Sequence, residues 1–264
     1  MSAKKKRGFG RPFEVGMVLL GVLVLWELAV VVLKPQAFIL PGPLSVFKEF
    51  VSTPAYFLEH TAYTLATTLS GFLAALVLGF IAAVGIVYST VLERTLYTLL
   101  VALNSVPKVA LAPLFVIWMG TGTEPKIAIV LMITIFATVI DTVLGLRSVE
   151  PELLALARSA RASEWHILTK IRLPSALPSM FAGMKLAISL ALVGAIVGEF
   201  VAGNTGLGQV ILQAQGMFQT PRMFVAIFIL GVLGTLLFYL IDWAERLLVP
   251  WHISHRGPAM ANTT

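Results

Sequence analysis

The chain of 264 residues contains no cysteine. That excludes a thiol nucleophile, a thiolate metal site and an iron–sulfur cluster. Charge is the second scarcity: Asp, Glu, Lys and Arg make up 12%, against roughly 25% in an average soluble domain. A soluble fold of this size could not cover its surface with so few charges, and 58% apolar residues exclude disorder. No G-x-x-x-x-G-K-[ST] run occurs; the glycines at 203, 206 and 208 lack the lysine that a phosphate-binding loop needs. No internal repeat is visible, direct or inverted, which weighs against many ion-coupled carrier folds. No carboxylate stands at catalytic spacing from a histidine or a second carboxylate, so an intramembrane enzyme lacks its groups. The histidines at 60, 166, 252 and 255 form no zinc pattern, and His252 with His255 is only a weak metal pair.

What remains is apolar length. Six stretches run Phe13–Leu33, Thr61–Tyr88, Leu96–Trp118, Ile127–Leu146, Phe181–Val201 and Met223–Val249. Each is long enough to cross a hydrocarbon core of about 30 Å. The first begins after Lys4-Lys5-Lys6-Arg7 like a signal peptide, but it exceeds an h-region and no small-x-small cleavage site follows; it reads as an uncleaved span. The net charge of +6 is expected in membrane proteins, where Lys and Arg concentrate in cytoplasmic loops. With both termini inside, the basic residues at 4–7, 11, 94, 147, 158, 161, 170, 172, 185, 246 and 256 are cytoplasmic. Lys34, Lys48, Lys126 and Arg222 fall outside, and Lys108 lies within a span. The reading is an all-α membrane protein with about six transmembrane helices and N-in, C-in topology. No basic stripe with interleaved aromatics argues for nucleic acid. The outer segment Lys34–His60, with Pro35, Pro41, Pro43 and Pro54, reads as an irregular, partly interfacial connection.

The loop between the fourth and fifth spans carries most of the information. Pro151 suits the first turn of a short helix, and Ser163 can cap a second helix over Glu164–Arg172, with Pro174 and Pro178 ending it. Leu153, Leu156, Ala157, Ala160, Trp165, Leu168 and Ile171 supply apolar contacts; Arg158, Arg161, Glu164, Lys170 and Arg172 supply charge. Small side chains at 155, 157, 159, 160 and 162 let another surface approach. Two readings stay open on these residues: an amphipathic loop on lipid headgroups, or a protein-docking knob.

Within the spans, Pro107, Lys108 and Pro113 interrupt the third stretch. Carbonyls freed by the prolines must face protein or a water-filled cavity. Lys108 is costly against lipid and should turn inward, where it could attract an anion, although structural pairing is the blander alternative. Asp141 and Glu199 read first as helix–helix hydrogen-bonding groups. Glu199 and Asn204 join Pro107, Lys108 and Pro113 as candidate pathway residues. The fifth span has small residues at Gly183, Ala187, Ala191, Gly194, Ala195 and Gly198, so backbones can approach on that face, within the chain or across a dimer seam.

The run Ala155-Leu156-Ala157-Arg158-Ser159-Ala160-Arg161-Ala162-Ser163, followed by Ile171-Arg172-Leu173-Pro174, resembles the EAA loop of ABC-importer permeases. Ala176-Leu177-Pro178, Gly198-Glu199, Asn204-Thr205-Gly206-Leu207-Gly208, Glu245-Arg246 and Pro250-Trp251 resemble the nitrate/sulfonate/taurine branch. So do Pro107 and Leu111-Ala112-Pro113 ahead of Trp118. The resemblance implies a type I importer permease in a bacterial inner membrane, working as a dimer. It also implies two separate cytoplasmic ATPases that hold ATP and Mg, and an extracytoplasmic solute-binding protein. The ATPase contact would be residues 155–163 and Trp165. No cofactor is expected in this chain, and no covalent chemistry. The implied solute is a small anion such as a sulfonate, taurine or nitrate; relatives carrying pyrimidine- or flavin-like molecules give an alternative, and a self-sufficient channel or ion-coupled carrier a third. Ala155 stands where the family has Glu, and Arg161 where it has Gly. The organisation expected is 1–60 for tail, first span and outer connection, 61–249 for the permease core with its coupling loop 147–180, and 250–264 for the tail.

Overall fold

The computed structural model describes residues 11–36 and 38–251. Ten helices follow in order. They are α1 (Arg11–Leu33), α2 (Pro43–Ser52), α3 (Pro54–Tyr88), α4 (Thr90–Ser105), α5 (Lys108–Met119), α6 (Glu124–Arg147), α7 (Pro151–Ser159), α8 (Glu164–Ala202), α9 (Leu207–Gly216) and α10 (Thr220–Leu248). Five of these are long and apolar enough to cross a membrane, or six if α4 and α5 are one bent span. The described residues contain no strand.

The core is α6, clasped between α3 and α8. Lipid tails are as apolar as leucine, so close backbone packing must hold such helices together. Val130 of α6 shows how. A Cβ on Gly71 of α3 would come within 2.5 Å of the Val130 side chain, and one on Gly194 of α8 within 3.0 Å of its Cα. Val130 itself is fully buried. A second layer forms where α10 and α9 pack on α8, with Ala187, Ala191, Ala195, Leu207, Val210, Val225 and Leu233 buried together. The first helix stands apart. It touches the rest chiefly through Trp26, whose ring stacks 5.7 Å from Phe224 and 5.7 Å from Phe228.

Four expectations need correction. The outer connection is not wholly irregular, because Pro43 and Pro54 start α2 and α3 in positions where a missing N–H is harmless. The third span is not a single kinked helix: α4 and α5 meet at 88°. Pro174 and Pro178 do not end the helix opened by Ser163. The chain runs on as α8 for 39 residues, with a π turn at Leu168–Arg172 just ahead of Pro174 and with Pro178 inside. Such turns shift the hydrogen-bond register where a proline removes a donor. Finally, Lys126, counted among the outer charges, and Lys185, counted among the cytoplasmic ones, lie within α6 and α8.

Candidate functional site

At one end of the bundle, α7 and the start of α8 form an elbow. Ser163 opens α8 by accepting the His166 N–H at 3.3 Å, while its hydroxyl lies 2.7 Å from His166 Nδ1. Arg158 of α7 pairs with Glu164 at 3.1 Å, both well exposed, so the pair adds no more than about 1 kcal/mol. The turn between the helices closes by two backbone bonds, Ala162 N to Ala157 O at 3.0 Å and Arg161 N to Arg158 O at 2.9 Å. This is a Schellman ending, which wants a left-handed residue at its centre. Arg161 adopts it, with φ of 58°. The arginine therefore makes the turn a glycine would make, at about 1–2 kcal/mol of steric cost. Ala155, Leu156, Ala157, Arg158, Ser159, Ala160, Arg161, Ala162, Ser163 and Trp165 all lie on this elbow. Its largest apolar side chains point to solvent, with Leu156 65% and Trp165 70% exposed. Ile167 and Leu168 are buried and anchor it to the bundle.

A second feature is the α4–α5 break. Pro107 sits at the corner in extended conformation, Lys108 opens a 3-10 turn, and Pro113 occupies the first turn of the α-helical part, Ala112–Met119. The Lys108 ammonium bonds to Asn104 Oδ1 across the break and lies 5.8 Å from the Phe136 ring centroid on α6. Almost nothing else covers this segment: no residue of α4 is buried, and in α5 only Ala112 is.

Glu199 and Asn204 belong to a different place, at the end opposite the elbow. Glu199 is fully buried. Its Oε1 accepts from Thr64 Oγ1 at 2.8 Å, and its Oε2 accepts from the Gly208 N–H at 2.7 Å. Thr64 in turn accepts from the Leu207 N–H at 2.8 Å, and His60 Nδ1 from the Gly206 N–H at 2.9 Å. Three backbone donors at the start of α9, unpaired in any helix N-terminus, are thus held by side chains of α3 and α8. Gly206 has φ of 114°, and any Cβ there would collide with the Glu199 carboxylate. In this conformation Glu199 latches the α8–α9 loop, since each of its carboxylate oxygens accepts from a group of α3 or α9. Asn204 lies exposed on that loop. Next to the latch, Lys126 is buried, donating to Tyr63 Oη at 2.7 Å. Lys126 and Phe136 are separated by ten positions on α6, about 15 Å of helix rise. The five pathway candidates therefore divide into a group at the break and a group at the latch.

The small-residue stripe packs within the same chain, its glycines against α6 and its alanines in the cluster shared with α9 and α10. Gly183 abuts Asp141, Gly194 abuts Val130, and Gly198 abuts Lys126, while Ala187, Ala191 and Ala195 are fully buried. A seam between two copies must use another face. Sequence reasoning missed His60, Thr64 and Lys126, which looked like span-end residues. It also missed the cluster in which Lys185 meets Asp242 at 2.5 Å and Glu245 at 2.6 Å, with Arg246 on Asp242 at 2.7 Å. One signal was available: the acidic pair Asp242 and Glu245, three residues apart within the final apolar stretch. His252 and His255, the basic tail at 4–7, and Arg256 lie outside the described residues.

Residues 75–251 match the family described as binding-protein-dependent transport system inner membrane component. The chain is 38% identical to the riboflavin transport system permease protein of Chloroflexus aurantiacus, over 90% of each chain. It is 32% identical to the formylaminopyrimidine transport permease protein of Halalkalibacterium halodurans, over 93% of this chain and 98% of the relative. With the aliphatic sulfonates transport permease protein of Bacillus subtilis, described as putative, identity is 30% over 97% and 94%. Among solved structures, an inward-facing form of the MetNI methionine ABC transporter superposes with a TM-score of 0.66 at 20% identity. That match covers 75% of this chain and 98% of the other.

Proposed function

The chain belongs to the family of binding-protein-dependent transport inner membrane components, and from that premise we propose that it forms, as a pair, the membrane pathway of an ATP-driven importer. It is a multi-pass permease of the ABC-importer kind. ATP, with Mg, is hydrolysed on two separate cytoplasmic subunits, and a binding protein delivers solute from outside. The elbow faces the cytoplasm, as do both termini.

One observation carries this reading: the knob of Leu153, Leu156 and Trp165, exposed beside Arg158 and Arg161, at the end of α8. At 39 residues, α8 is about 58 Å long, nearly twice the hydrocarbon core. A helix of this length extends past the hydrocarbon core and leaves room for the elbow to stand off from the headgroups, which supports a protein partner over a lipid surface. Exposed apolar side chains ringed by arginine form the kind of hot-spot patch that fills a groove. The test is co-purification with the ATPase. Leu156→Asp with Trp165→Ala is expected to abolish retention of nucleotide hydrolysis on the membrane complex while leaving the chain folded.

For the solute we favour a small heterocycle of flavin or pyrimidine type. The higher identity to the riboflavin permease, and the aromatic side chains Phe115, Trp118 and Phe136 near the break, support it. A sulfonate-like anion is the second reading, supported by Lys108 at the same break and by the sulfonate relative. ATP hydrolysis by the reconstituted complex, with binding protein present, separates them. Stimulation by riboflavin or an aminopyrimidine supports the first reading, and stimulation by an alkanesulfonate only supports the second. Lys108→Met should abolish the response in the second case and spare most of it in the first.

A further inference from the structure

Arg172 is the last residue of the π turn in α8. Its Nη1 donates to the Leu146 carbonyl at 2.7 Å. That carbonyl belongs to the last turn of α6, where helix carbonyls have no partner in their own helix. The same guanidinium lies 5.6 Å from the ring centroid of Tyr88, the last residue of α3. One side chain of α8 thus touches the ends of both helices between which the core is built. A planar guanidinium can lie over a ring while donating from its edge in one rigid fork; a lysine ammonium, a point charge on a flexible stem, does not fix the two contacts relative to each other.

The contacts continue outward. Tyr88 Oη donates to the Glu164 carbonyl at 3.4 Å, and the Glu164 carboxylate holds Arg158 of α7. Beneath lies a buried cluster of Ile86, Val139, Val143, Leu146, Leu168 and Ala176. A displacement of α7 therefore meets closely packed helix ends rather than lipid. Arg172 Nε is buried and has no hydrogen-bond partner among the described residues. A buried donor left unsatisfied is energetically poor, so this junction is sensitive to any shift of α8 against α3 and α6.

We propose that Arg172, seated on Tyr88, is the positioning residue that carries motion of the α7–α8 elbow into α3 and α6. This rests on the reading that a separate ATPase grips the elbow. The chain has no cysteine, so Met217→Cys, at an exposed site at the far end, can carry a nitroxide in the complex with its ATPase in nanodiscs. Two quantities are read: ATP hydrolysis, and the change in label-to-label distance between the two copies on trapping with ATP, Mg and vanadate. Arg172→Lys and Tyr88→Leu should keep hydrolysis within about twofold of the parent while the trapped population falls about tenfold. Tyr88→Phe, which keeps the ring face, should retain both. An unchanged distance response in Arg172→Lys and Tyr88→Leu overturns the proposal. So does a proportionate fall of hydrolysis and response, or loss of the response in Tyr88→Phe. Should Arg172→Lys not assemble, the contrast of Tyr88→Leu with Tyr88→Phe decides alone. A parent complex that retains no ATPase sinks the functional reading instead.

Discussion

The core of α3, α6 and α8 and the bent pair α4–α5 are both apolar enough to cross a membrane but opposite in surroundings. Around α6, backbones approach until no Cβ fits at Gly71 or Gly194, and polar groups such as Thr138 and Glu199 find partners on another helix. Along α4 and α5 the large side chains face outward, with Ile117 78% and Trp118 68% exposed. Lys108 and Asn104 sit on that same open surface, where lipid would be a poor neighbour. Hydrophobicity places both segments in a membrane, but only the first is complete within one chain. The second needs a further protein surface or a water-filled path against it.

Breaking the complete half should have the largest effects. Glu199→Ala leaves the Thr64 hydroxyl and the Gly208 N–H without their acceptor, and should lower stability by about 3 kcal/mol. Thermal unfolding of the purified chain in detergent measures this, and a midpoint equal to the parent's would remove the latch from the account. Gly194→Val pushes a branched side chain against the Val130 backbone and should cost about 2 kcal/mol in the same assay. Arg161→Gly works in the other direction, because glycine accepts the left-handed turn. A gain of up to about 1 kcal/mol is expected, read as a higher midpoint. The smallest effect on the fold belongs to the open half. Ile117→Ala with Trp118→Ala should change stability by less than about 0.5 kcal/mol, yet weaken the pairing proposed above, read as a shift toward monomer in light scattering. Retention of the dimer would assign the partner surface elsewhere.

The elbow was readable because its signals are local. Pro151 at a first turn and Ser163 as a cap each follow from neighbours a few positions away, and the structure holds both in those roles. Pro178 misled because a proline usually ends a helix, whereas tertiary packing and the π turn kept α8 continuous. The break at Val106–Pro107 was legible as a disturbance but not as an 88° corner. The angle depends on what α6 and α8 leave room for. Glu199 was legible as a helix–helix hydrogen-bonding group, but its partners were not: Thr64 and Gly208 are 135 and 9 positions away, and one of them offers a backbone N–H that no sequence pattern advertises.

Apolar length, scarcity of charge and the spacing of small residues were enough to determine a helical membrane protein and its packing helices, since these depend on solvent and on helical period alone. Which face of each helix is filled, which carboxylate is a latch, and which arginine joins the ends of two helices were decided only by the tertiary structure. Those choices turn on contacts a few ångströms long between residues far apart in the chain, and periodicity along one helix carries no information about its neighbour.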